Sequence, residues 1–255
     1  MGNIFLITHK LVQEKYDENL YIPLQVGKKI SDIELGYISD DTKTNIANKN
    51  LNYCELTGIY WLWKNWDFDD WIGISHYRRF FRLRNKNLNR KQIDKIMSKY
   101  DIILPRKFYF KNTVWNNYYK GGAGKEKDLK ILREVIKSQF PEYLKNFDYI
   151  MKKHSASYCN MFVMKKNEFY EYCNWLFKIL FLLEKKIDIS KYTRSEARIY
   201  GYMSEILLNV WVNKNMLKTK KIKIVKTDSN LNERINWNIE RIKGVIIGGV
   251  KDLFV

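Results

Sequence analysis

A run of four residues, His76-Tyr77-Arg78-Arg79, combines side chains that suit both acid–base chemistry and anion binding. Arginine presents a planar fork of N–H donors that fits phosphate or carboxylate oxygens, so two adjacent arginines suit an anion site. The apolar residues 71–75 just before the run predict a buried strand that ends here. The alternative is a solvated turn, which is less favoured because Phe80 and Phe81 follow directly and prefer burial.

The three histidines of the chain, His9, His76 and His154, each fall near the end of a predicted strand. A histidine in such a place can have a purely structural role, through stacking or hydrogen bonding. In open α/β sheets, however, ligands bind at strand ends, which favours a functional role for His9 and His76. For His154 the two interpretations are equally supported. Thr8 and Lys10 flank His9 and make that segment polar on both sides.

A polar loop at residues 38–50 contains Asp40, Asp41, Asn45 and Asn50. Carboxylate and amide side chains in a loop can bind the ribose or base edge of a nucleotide, or hold a divalent cation. The alternative is an ordinary turn, in which Asp and Asn side chains bond to the local backbone. On the loop sequence alone, the turn is favoured.

A predicted helix at residues 194–215 has two faces. Its apolar stripe is formed by Ile199, Met203, Ile206 and Val210. Arg198, Tyr202 and Glu205 form a polar stripe about 100° away around the helix axis. A carboxylate near an arginine and a tyrosine can act as a positioned general base. The alternative is a surface helix with ordinary i, i+4 pairs.

The elements that must position these residues follow from hydrophobic periodicity. The predicted strands cover residues 3–8, 71–75, 101–104, 158–164 and 221–225, and the predicted helices cover residues 52–65, 91–99, 125–139, 142–153, 168–184 and 194–215. Asn52, with Glu55 three residues later, predicts a capping box at the start of the first helix. Strands that alternate with helices predict an α/β fold with a mostly parallel central sheet.

In such a sheet, residues 8–10, residues 75–79 and Asn160 would share one crevice at the carboxyl ends of the strands. Neither a G-x-G-x-x-G nor a G-x-x-x-x-G-K-S/T motif occurs in the sequence, so this crevice matches neither a dinucleotide fingerprint nor a P-loop.

The chain is strongly basic. It has 46 Lys and Arg against 28 Asp and Glu, a formal charge of +18 over 255 residues. Such a charge indicates an anionic partner, such as nucleotide phosphates, a lipid pyrophosphate, a membrane face or nucleic acid. The alternative cause is the Lys-, Asn- and Ile-rich composition expected of an AT-rich genome.

Cysteine usage predicts a reducing compartment. The three cysteines, Cys54, Cys159 and Cys173, are an odd number and none stands in a C-x-x-C spacing. No signal-peptide pattern opens the sequence, and the most apolar stretch, residues 175–183, is too short to cross a bilayer. We therefore expect a cytoplasmic protein, with membrane contact only at a surface.

Short motifs in a fixed order match one known family. They are Ile7-Thr8-His9-Lys10, Pro23-Leu24-Gln25-Val26-Gly27, Ser39-Asp40-Asp41, Asn45-Ile46, Asn50, Tyr53-Cys54-Glu55-Leu56-Thr57, Tyr60-Trp61-Leu62-Trp63-Lys64-Asn65, Gly73-Ile74-Ser75-His76-Tyr77-Arg78-Arg79, Ile103-Leu104-Pro105, Asn160-Met161-Phe162-Val163-Met164, Arg198 and Gly201-Tyr202-Met203-Ser204-Glu205. Over roughly residues 4–215 the chain resembles the bacterial capsular and exopolysaccharide glycosyltransferase family long known only as a domain of unknown function. Some members of that family are galactofuranosyltransferases.

The resemblance implies transfer of a sugar from a nucleotide-sugar, expected to be a UDP-sugar, to a growing glycan that is expected to be lipid-linked. It also implies a single-domain nucleotide-sugar transferase-like fold, with an N-terminal nucleotide half and a C-terminal acceptor half. The glycosyltransferase domain is then expected at residues 1–217. Such an enzyme would work in the cytoplasm, at the inner face of the membrane when its acceptor is lipid-linked.

One departure from related transferases concerns the metal. They usually carry an Asp-x-Asp motif after a central strand, whereas this chain has Ser75-His76-Tyr77-Arg78 at that place. Cationic side chains would then take over part of the metal's role on the leaving diphosphate. A divalent cation, Mn or Mg, held by Asp40 or Asp41 is the open alternative, so no metal ligand is assigned.

The demands of sugar transfer assign the remaining roles. The donor is expected to contact residues that stand near predicted strand ends: Thr8, His9, Lys10, Asp40, Asp41, Asn45, Tyr77, Arg78 and Arg79. Glu205 is expected to take the proton of the acceptor hydroxyl, and His76 is the competing base. The acceptor is expected to contact His154, Asn160, Arg198 and Tyr202.

Two other functions compete with sugar transfer. A basic nucleic-acid-binding module would explain the charge and the many Tyr and Trp residues. Most of those aromatics fall at apolar positions, however, and no RRM, KH or helix-turn-helix pattern is present, so we expect no nucleic acid as partner. The other competitor is a noncatalytic capsule-assembly protein that binds a membrane or protein partners.

The sequence after residue 217 lies outside the resemblance. Residues 218–255 form a basic C-terminal tail whose first part holds Lys218, Lys220, Lys221, Lys223 and Lys226. Apolar residues between 237 and 247 alternate there with Arg241 and Lys243, as in a segment that binds an anionic membrane surface. The slightly favoured alternative is a tail packed on the domain, with residues 221–225 as an edge strand.

Overall fold

The computed structural model describes residues 2–227 together with residues 248, 249, 251 and 252. Contacts within the chain divide it into two compact units. The first unit consists of residues 1–106, 159–173 and 217–228, and the second consists of residues 107–158, 174–216 and 229–255.

Strands and helices alternate along most of the described chain. The strands are β1 Asn3–Thr8, β2 Tyr21–Gln25, β3 Ile38–Ser39, β4 Trp71–His76, β5 Arg79–Leu83, β6 Lys86–Asn87, β7 Ile102–Pro105, β8 Phe108–Tyr109, β9 Ser155–Ala156, β10 Phe162–Lys165 and β11 Thr219–Lys226. The helices are α1 Asn50–Tyr53, α2 Leu56–Asn65, α3 Arg90–Met97, α4 Val114–Lys120, α5 Glu126–Gln139, α6 Leu144–Lys152, α7 Lys166–Glu184 and α8 Ile199–Lys214.

The sheet of the first unit has the strand order β3-β2-β1-β4-β10-β7-β11-β5-β6. Strands β3, β2, β1 and β4 run parallel, whereas β10 is antiparallel to both β4 and β7. Strand β5 is antiparallel to β4, β6 and β11. The α/β class is confirmed, but the expectation of a mostly parallel sheet is wrong, because the direction of β10 and the β4–β5 hairpin depend on connections that periodicity does not reveal.

Strand β1 lies inside the parallel part of the sheet and is covered on both faces. Its residues Ile4, Phe5 and Leu6 are fully buried, as expected for a continuous apolar run between parallel neighbours. Helix α2 comes very close to this layer at Gly58. A Cβ at that position would lie 2.9 Å from Val26 Cγ1 and 3.0 Å from Ile7 Cδ1. The absence of a side chain at residue 58 therefore sets the distance between helix and sheet.

The predicted helix at residues 52–65 is interrupted in the structure. Helix α1 ends at Tyr53, Cys54 adopts φ 53° and ψ −129°, and α2 starts at Leu56. Asn52 is therefore inside α1 and makes no capping box with Glu55. The break is stabilised by Asn50, whose Nδ2 donates to the Cys54 carbonyl oxygen at 2.8 Å.

The start of the expected basic tail belongs to the sheet. Strand β11 lies between β7 and β5, so the expectation of an edge strand there is wrong. Ile222 and Ile224 are buried on one face of β11, which anchors the strand. Truncation after Leu217 would therefore remove an interior strand. The basic and apolar residues expected to contact a membrane, from Trp237 to Ile247, lie outside the described residues.

Residues near the C-terminus pack on the second unit. The Asp252 carboxylate accepts hydrogen bonds from the backbone N–H of His154 and from the hydroxyl of Ser155. Lys153 Nζ donates to the Asp252 carbonyl oxygen at 3.1 Å. A Cβ at Gly248 would lie 2.6 Å from the Phe110 carbonyl oxygen, so the backbones are in close contact. These contacts support the alternative of a packed tail for this part of the sequence.

Helix α8 of the second unit is buried along most of its length. Its predicted apolar stripe, formed by Ile199, Met203, Ile206 and Val210, is buried as expected. Residues on the other sides, including Tyr200, Leu207 and Trp211, are buried too. Tyr143 stacks on Trp175 with ring centroids 4.7 Å apart. The helix is therefore largely enclosed, and the expectation of one apolar and one polar face holds only for its first turns.

No helix among the described residues is both long and apolar enough to cross a membrane.

We predict that Asp252→Ala lowers the free energy of unfolding by about 1–3 kcal/mol, because the buried Ser155 hydroxyl and the His154 amide lose their acceptor. Chemical denaturation monitored by circular dichroism measures the change. Lys251→Ala is the matched control, since it removes a neighbouring exposed side chain, whose Nζ donates to the Lys111 carbonyl oxygen at 3.1 Å. Equal stability of both variants and the wild type would contradict a packed C-terminal segment.

Candidate functional site

The parallel strands of the first unit bring their polar ends to one edge of the sheet. Thr8 pairs with Gln25, and Gln25 pairs with Ser39. On the other side of β1, Ile7 pairs with His76. We call this edge, formed by residues 8–10, 25–27, 39–41 and 76–79, the carboxyl edge. It brings together the predicted donor residues of three separate segments, as expected for parallel strands.

The predicted strand end at residue 76 is a tight hairpin. Tyr77 and Arg78 form a two-residue turn between β4 and β5, and His76 pairs with Arg79 across it. Ser75 Oγ donates to the Arg79 carbonyl oxygen at 2.6 Å, and Thr227 N–H donates to the Arg78 carbonyl oxygen at 2.9 Å. The turn is thus held from both sides, with its backbone fixed.

His76 is held as a neutral imidazole. Its Nε2 lies 2.6 Å from the Cys159 carbonyl oxygen, and since a carbonyl can only accept, Nε2 carries the proton and Nδ1 keeps the lone pair. Burial lowers the pKa of His76, the Glu55 carboxylate opposes this, and the nearby positive charges of Arg79 and Arg78 lower the pKa further. The ring can therefore accept a proton at Nδ1 at neutral pH.

Asn160 reaches the same edge from a different direction than expected. The strand predicted at 158–164 starts only at Phe162, and Cys159 and Asn160 form a turn with φ 82° and 45°. Because β10 is antiparallel to β4, its amino end rather than its carboxyl end lies at the carboxyl edge. Asn160 belongs to the first unit, as His76 does, and its contact with the acceptor stays a prediction.

Glu55 is a candidate that the motifs did not assign to the site. Its Oε1 accepts a hydrogen bond from Asn160 Nδ2 at 2.6 Å, and its charge acts on His76. The sequence offered two signals for Glu55: its place in the family motif at residues 53–57 and the capping-box spacing, which indicated a structural role. The unusual backbone of Cys54, which places Glu55 at the start of α2, cannot be read from local sequence.

Aromatic rings and cations adjoin on this edge. The rings of His9 and Tyr77 meet edge to face, with centroids 5.2 Å apart. The Arg78 guanidinium lies 5.6 Å from the centroid of the Tyr77 ring. The Thr8 hydroxyl bonds to the backbone of Lys10, whose side chain is exposed. Cationic and aromatic side chains of two segments, residues 8–10 and 76–79, thus lie together on this edge.

Asp40 is a fully buried carboxylate at the end of β3. Its backbone N–H donates to the Gln25 carbonyl oxygen at 3.0 Å, but neither carboxylate oxygen has a partner in good hydrogen-bond geometry among the described residues. Burial raises the pKa of Asp40 to about 6, although the Thr57 hydroxyl and the Gly27 amide partly oppose this. A buried acid with a raised pKa at a ligand-binding edge is a typical functional-site feature.

The rest of the polar loop is organised around its own backbone. Asn45 Nδ2 donates to the carbonyl oxygens of Asp41 at 3.1 Å and Lys43 at 2.9 Å, and its Oδ1 accepts from Ala47 N–H. Asp41 accepts a hydrogen bond from Ser39 Oγ at 2.7 Å. These bonds match the alternative of an Asx-rich turn, in which Asn45 holds the loop together.

No group of three or more His, Cys, Asp and Glu side chains among the described residues could hold a metal ion. Asp40 and Asp41 supply two carboxylates next to each other in the sequence, the kind of ligand that Mn²⁺ and Mg²⁺ prefer. The described part of the chain adds no third such ligand to them.

The remaining predicted residues belong to the second unit. Glu205 is half-buried on α8. Burial of Tyr158 raises the pKa of its hydroxyl, and the nearby charge of Glu205 raises it further. The Arg198 guanidinium lies 5.7 Å from the centroid of the Tyr202 ring. His154 donates its backbone N–H to Asp252, and its buried Nδ1 has no partner among the residues that are described.

The family model described as a domain of unknown function, DUF4422, matches residues 3–216, and the chain belongs to this family. The chain is 29% identical to the apo structure of WbbM, a bifunctional glycosyltransferase, with a TM-score of 0.82. The match covers 89% of this chain but 45% of the WbbM chain. A protein of Plasmodium falciparum (isolate 3D7) is 27% identical over 193 residues, which are 75% of this chain and 4% of that protein.

Asp40 leads to a pH-dependent prediction. Since its folded-state pKa, about 6, lies above the ordinary value of 3.8, ionisation of Asp40 destabilises the fold; this cost is full above pH 6 and disappears as the pH falls below about 4. We therefore compare the free energy of unfolding of Asp40→Asn with that of the wild type. From pH 4 to pH 8 this difference should change by up to about 3 kcal/mol in favour of Asp40→Asn. Urea denaturation at both pH values measures this gain.

The matched control for this experiment is Asp32→Asn, which removes an exposed carboxylate. It should show little change in the same comparison. A stability difference between wild type and Asp40→Asn that stays constant from pH 4 to pH 8 would contradict a raised pKa at Asp40.

Proposed function

We propose that the protein transfers a sugar from a nucleotide-activated donor to a glycan acceptor. The observation that carries the proposal is the likeness to a glycosyltransferase over 89% of the chain, at 29% identity. The chemistry of the carboxyl edge agrees with it, since cations, a neutral imidazole and a buried carboxylate meet where parallel α/β sheets bind nucleotides. The expected donor is a UDP-sugar.

In this proposal the nucleotide lies across the carboxyl edge. The loop at Asp40 and Asp41 takes the nucleoside, where a buried carboxylate can accept hydrogen bonds from ribose hydroxyls or a base N–H. The diphosphate lies on the hairpin, near Arg78, Arg79 and Lys10. Negative charge grows on the diphosphate as the glycosidic bond breaks, and fixed cations in a partly buried place stabilise that charge. A bound Mn²⁺ or Mg²⁺ would add to this stabilisation.

The acceptor hydroxyl must lose a proton during transfer. Glu205 is our proposed base, with Arg198 and Tyr202 beside it for the acceptor sugar and His154 as a further acceptor contact. His76 is the competing base, because its neutral ring keeps a lone pair on Nδ1. The family resemblance supports a capsular or exopolysaccharide glycan, lipid-linked at the cytoplasmic membrane face, as the acceptor.

A nucleic-acid-binding function receives little support from the aromatic residues. Binding to single strands requires exposed rings on which bases stack. Among the described Phe, Tyr and Trp side chains, Tyr149 is the only one in the exposed class, and it is only 40% exposed. Rings such as Tyr53, Trp61 and Trp71 lie in the core.

We predict that Arg78→Ala and Arg79→Ala each reduce transfer about 10²–10³-fold, the usual effect of removing one donor that stabilises developing negative charge. Turnover of a panel of UDP-, GDP-, TDP- and CMP-sugars measures the loss. Arg84→Ala, in the exposed β5–β6 turn, is the control and should leave turnover unchanged. Full activity in both Arg78→Ala and Arg79→Ala would contradict the binding of the diphosphate at this hairpin.

Glu205→Gln keeps the size and hydrogen bonding of the side chain but removes its basicity, and we expect a 10²–10⁴-fold lower kcat with a small change in KM. His76→Gln is the parallel variant. If Glu205→Gln turns over at the wild-type rate and His76→Gln does not, His76 is the base. A melting temperature measured for each variant separates a lost base from a lost fold.

A further inference from the structure

Two hydrogen bonds meet at the turn formed by Cys159 and Asn160. The Cys159 carbonyl oxygen accepts the Nε2 proton of His76 at 2.6 Å, and Asn160 Nδ2 donates to Glu55 Oε1, also at 2.6 Å. The two turn residues have φ angles of 82° and 45°. Since neither residue is glycine, this backbone is strained and persists only where surrounding contacts hold it. The hydrogen bond to Glu55 is such a contact, and it connects Glu55 to the carbonyl group that orients His76.

Glu55 follows a second turn that is also fixed by hydrogen bonds. Asn50 Nδ2 donates to the Cys54 carbonyl oxygen at 2.8 Å and to Thr57 Oγ1 at 2.9 Å. Thr57 Oγ1 in turn donates to the Cys54 carbonyl oxygen at 3.1 Å, and Thr57 is fully buried. The half-buried side chain of Glu55 therefore starts from a backbone whose conformation is well determined.

The charge of Glu55 also acts on His76. Burial lowers the pKa of the imidazole, the Glu55 carboxylate raises it, and the positive charges of Arg79 and Arg78 lower it. Tyr172 on α7 lies within reach of the Glu55 charge too, but burial raises the pKa of its hydroxyl, so Tyr172 stays neutral. Glu55 thus supplies negative charge at a ring that two arginines would otherwise keep from taking up a proton.

We infer that Glu55 is a positioning residue for His76, which holds the turn of Cys159 and Asn160 so that the ring keeps its proton on Nε2 and leaves Nδ1 to accept a proton. This inference rests on the proposed function and takes its competing base, His76, as the proton acceptor. A carboxylate that orients a histidine and stabilises the imidazolium formed during the reaction is a recurrent catalytic arrangement.

The step that this arrangement serves is the attack of the acceptor hydroxyl. Its proton moves to Nδ1 of His76, and its oxygen forms the new bond to the anomeric carbon of the donor. The old bond from that carbon to the diphosphate breaks, and the diphosphate leaves with the electron pair. The ring becomes positively charged in this step, and the negative charge of Glu55 offsets that charge.

The test is a nuclear magnetic resonance titration of the full-length chain with isotope-labelled histidines. The chain has three histidines, so the signal of His76 is identified by its loss in His76→Gln. Glu55→Gln keeps an oxygen that accepts from Asn160 but loses the charge, and we expect the Nε2–H tautomer to remain while the pKa of His76 falls. Glu55→Ala loses both, and we expect a lower pKa together with appearance of the Nδ1–H tautomer.

Glu18→Gln is the matched control for both variants. It removes an exposed carboxylate of the same unit by the same substitution. The pKa and the tautomer of His76 should stay as they are in the wild type.

The pH dependence of sugar transfer provides a second readout. A base with a lower pKa is freed of its proton at lower pH, so the acid limb of the kcat profile should move to lower pH in Glu55→Gln. The same base is weaker, and we expect kcat on the plateau to fall about tenfold with a small change in KM. A merely structural role of Glu55 would reduce kcat without moving the acid limb.

The outcomes separate the inference from the function it rests on. A pKa or a tautomer of His76 that stays at the wild-type value in Glu55→Ala overturns the inference, and the proposed function stands if the wild type transfers sugar. An acid limb that does not move in Glu55→Gln, or loss of the circular dichroism of the fold in that variant, overturns it as well. If His76 responds as expected but no nucleotide-sugar is turned over, the effect of Glu55 on His76 stands and the proposed function falls.

Discussion

The parallel pairing of β1 with both β2 and β4 is the constraint on which the candidate site depends. The pairing Ile7 with Leu24 on one side and with His76 on the other fixes where three strands end. A shift of one residue in either register would turn every side chain of the shifted strand to the opposite face. The burial of Ile4, Phe5 and Leu6 on both faces of β1 makes such a shift costly, so the core holds the carboxyl edge in place.

Around this edge the structure maintains several local features that do not favour folding. Asp40 is a buried acid with a raised pKa. Cys54 and Cys159 adopt positive φ angles, which for residues other than glycine cost of the order of 1–3 kcal/mol each. Their concentration at one edge is typical of a functional site, where local rules are broken and the surrounding core compensates.

The two strained turns have a common geometric result. The turn at Cys54 places Glu55 at the start of α2, and the turn at Cys159 presents a carbonyl oxygen to His76 and the Asn160 amide to Glu55. Together they form a continuous polar chain of His76, Cys159, Asn160 and Glu55 behind the cationic hairpin. The Cys159 carbonyl in this chain fixes the tautomer of His76 and leaves Nδ1 as the nitrogen of the ring that can accept a proton.

The sequence by itself determined the α/β class, the buried runs of β1 and β4, the apolar stripe of α8 and the segments that carry polar groups to one edge. These follow from hydrophobic periodicity and from the side-chain types, which are local properties. The direction of β10, the interior place of β11, the break at Cys54 and the pairing of Arg79 with Lys226 were decided only by tertiary structure. They depend on which distant segments pair and in which direction, and the hydrogen bonds and packing that select a partner strand leave no local pattern in the residues that form it.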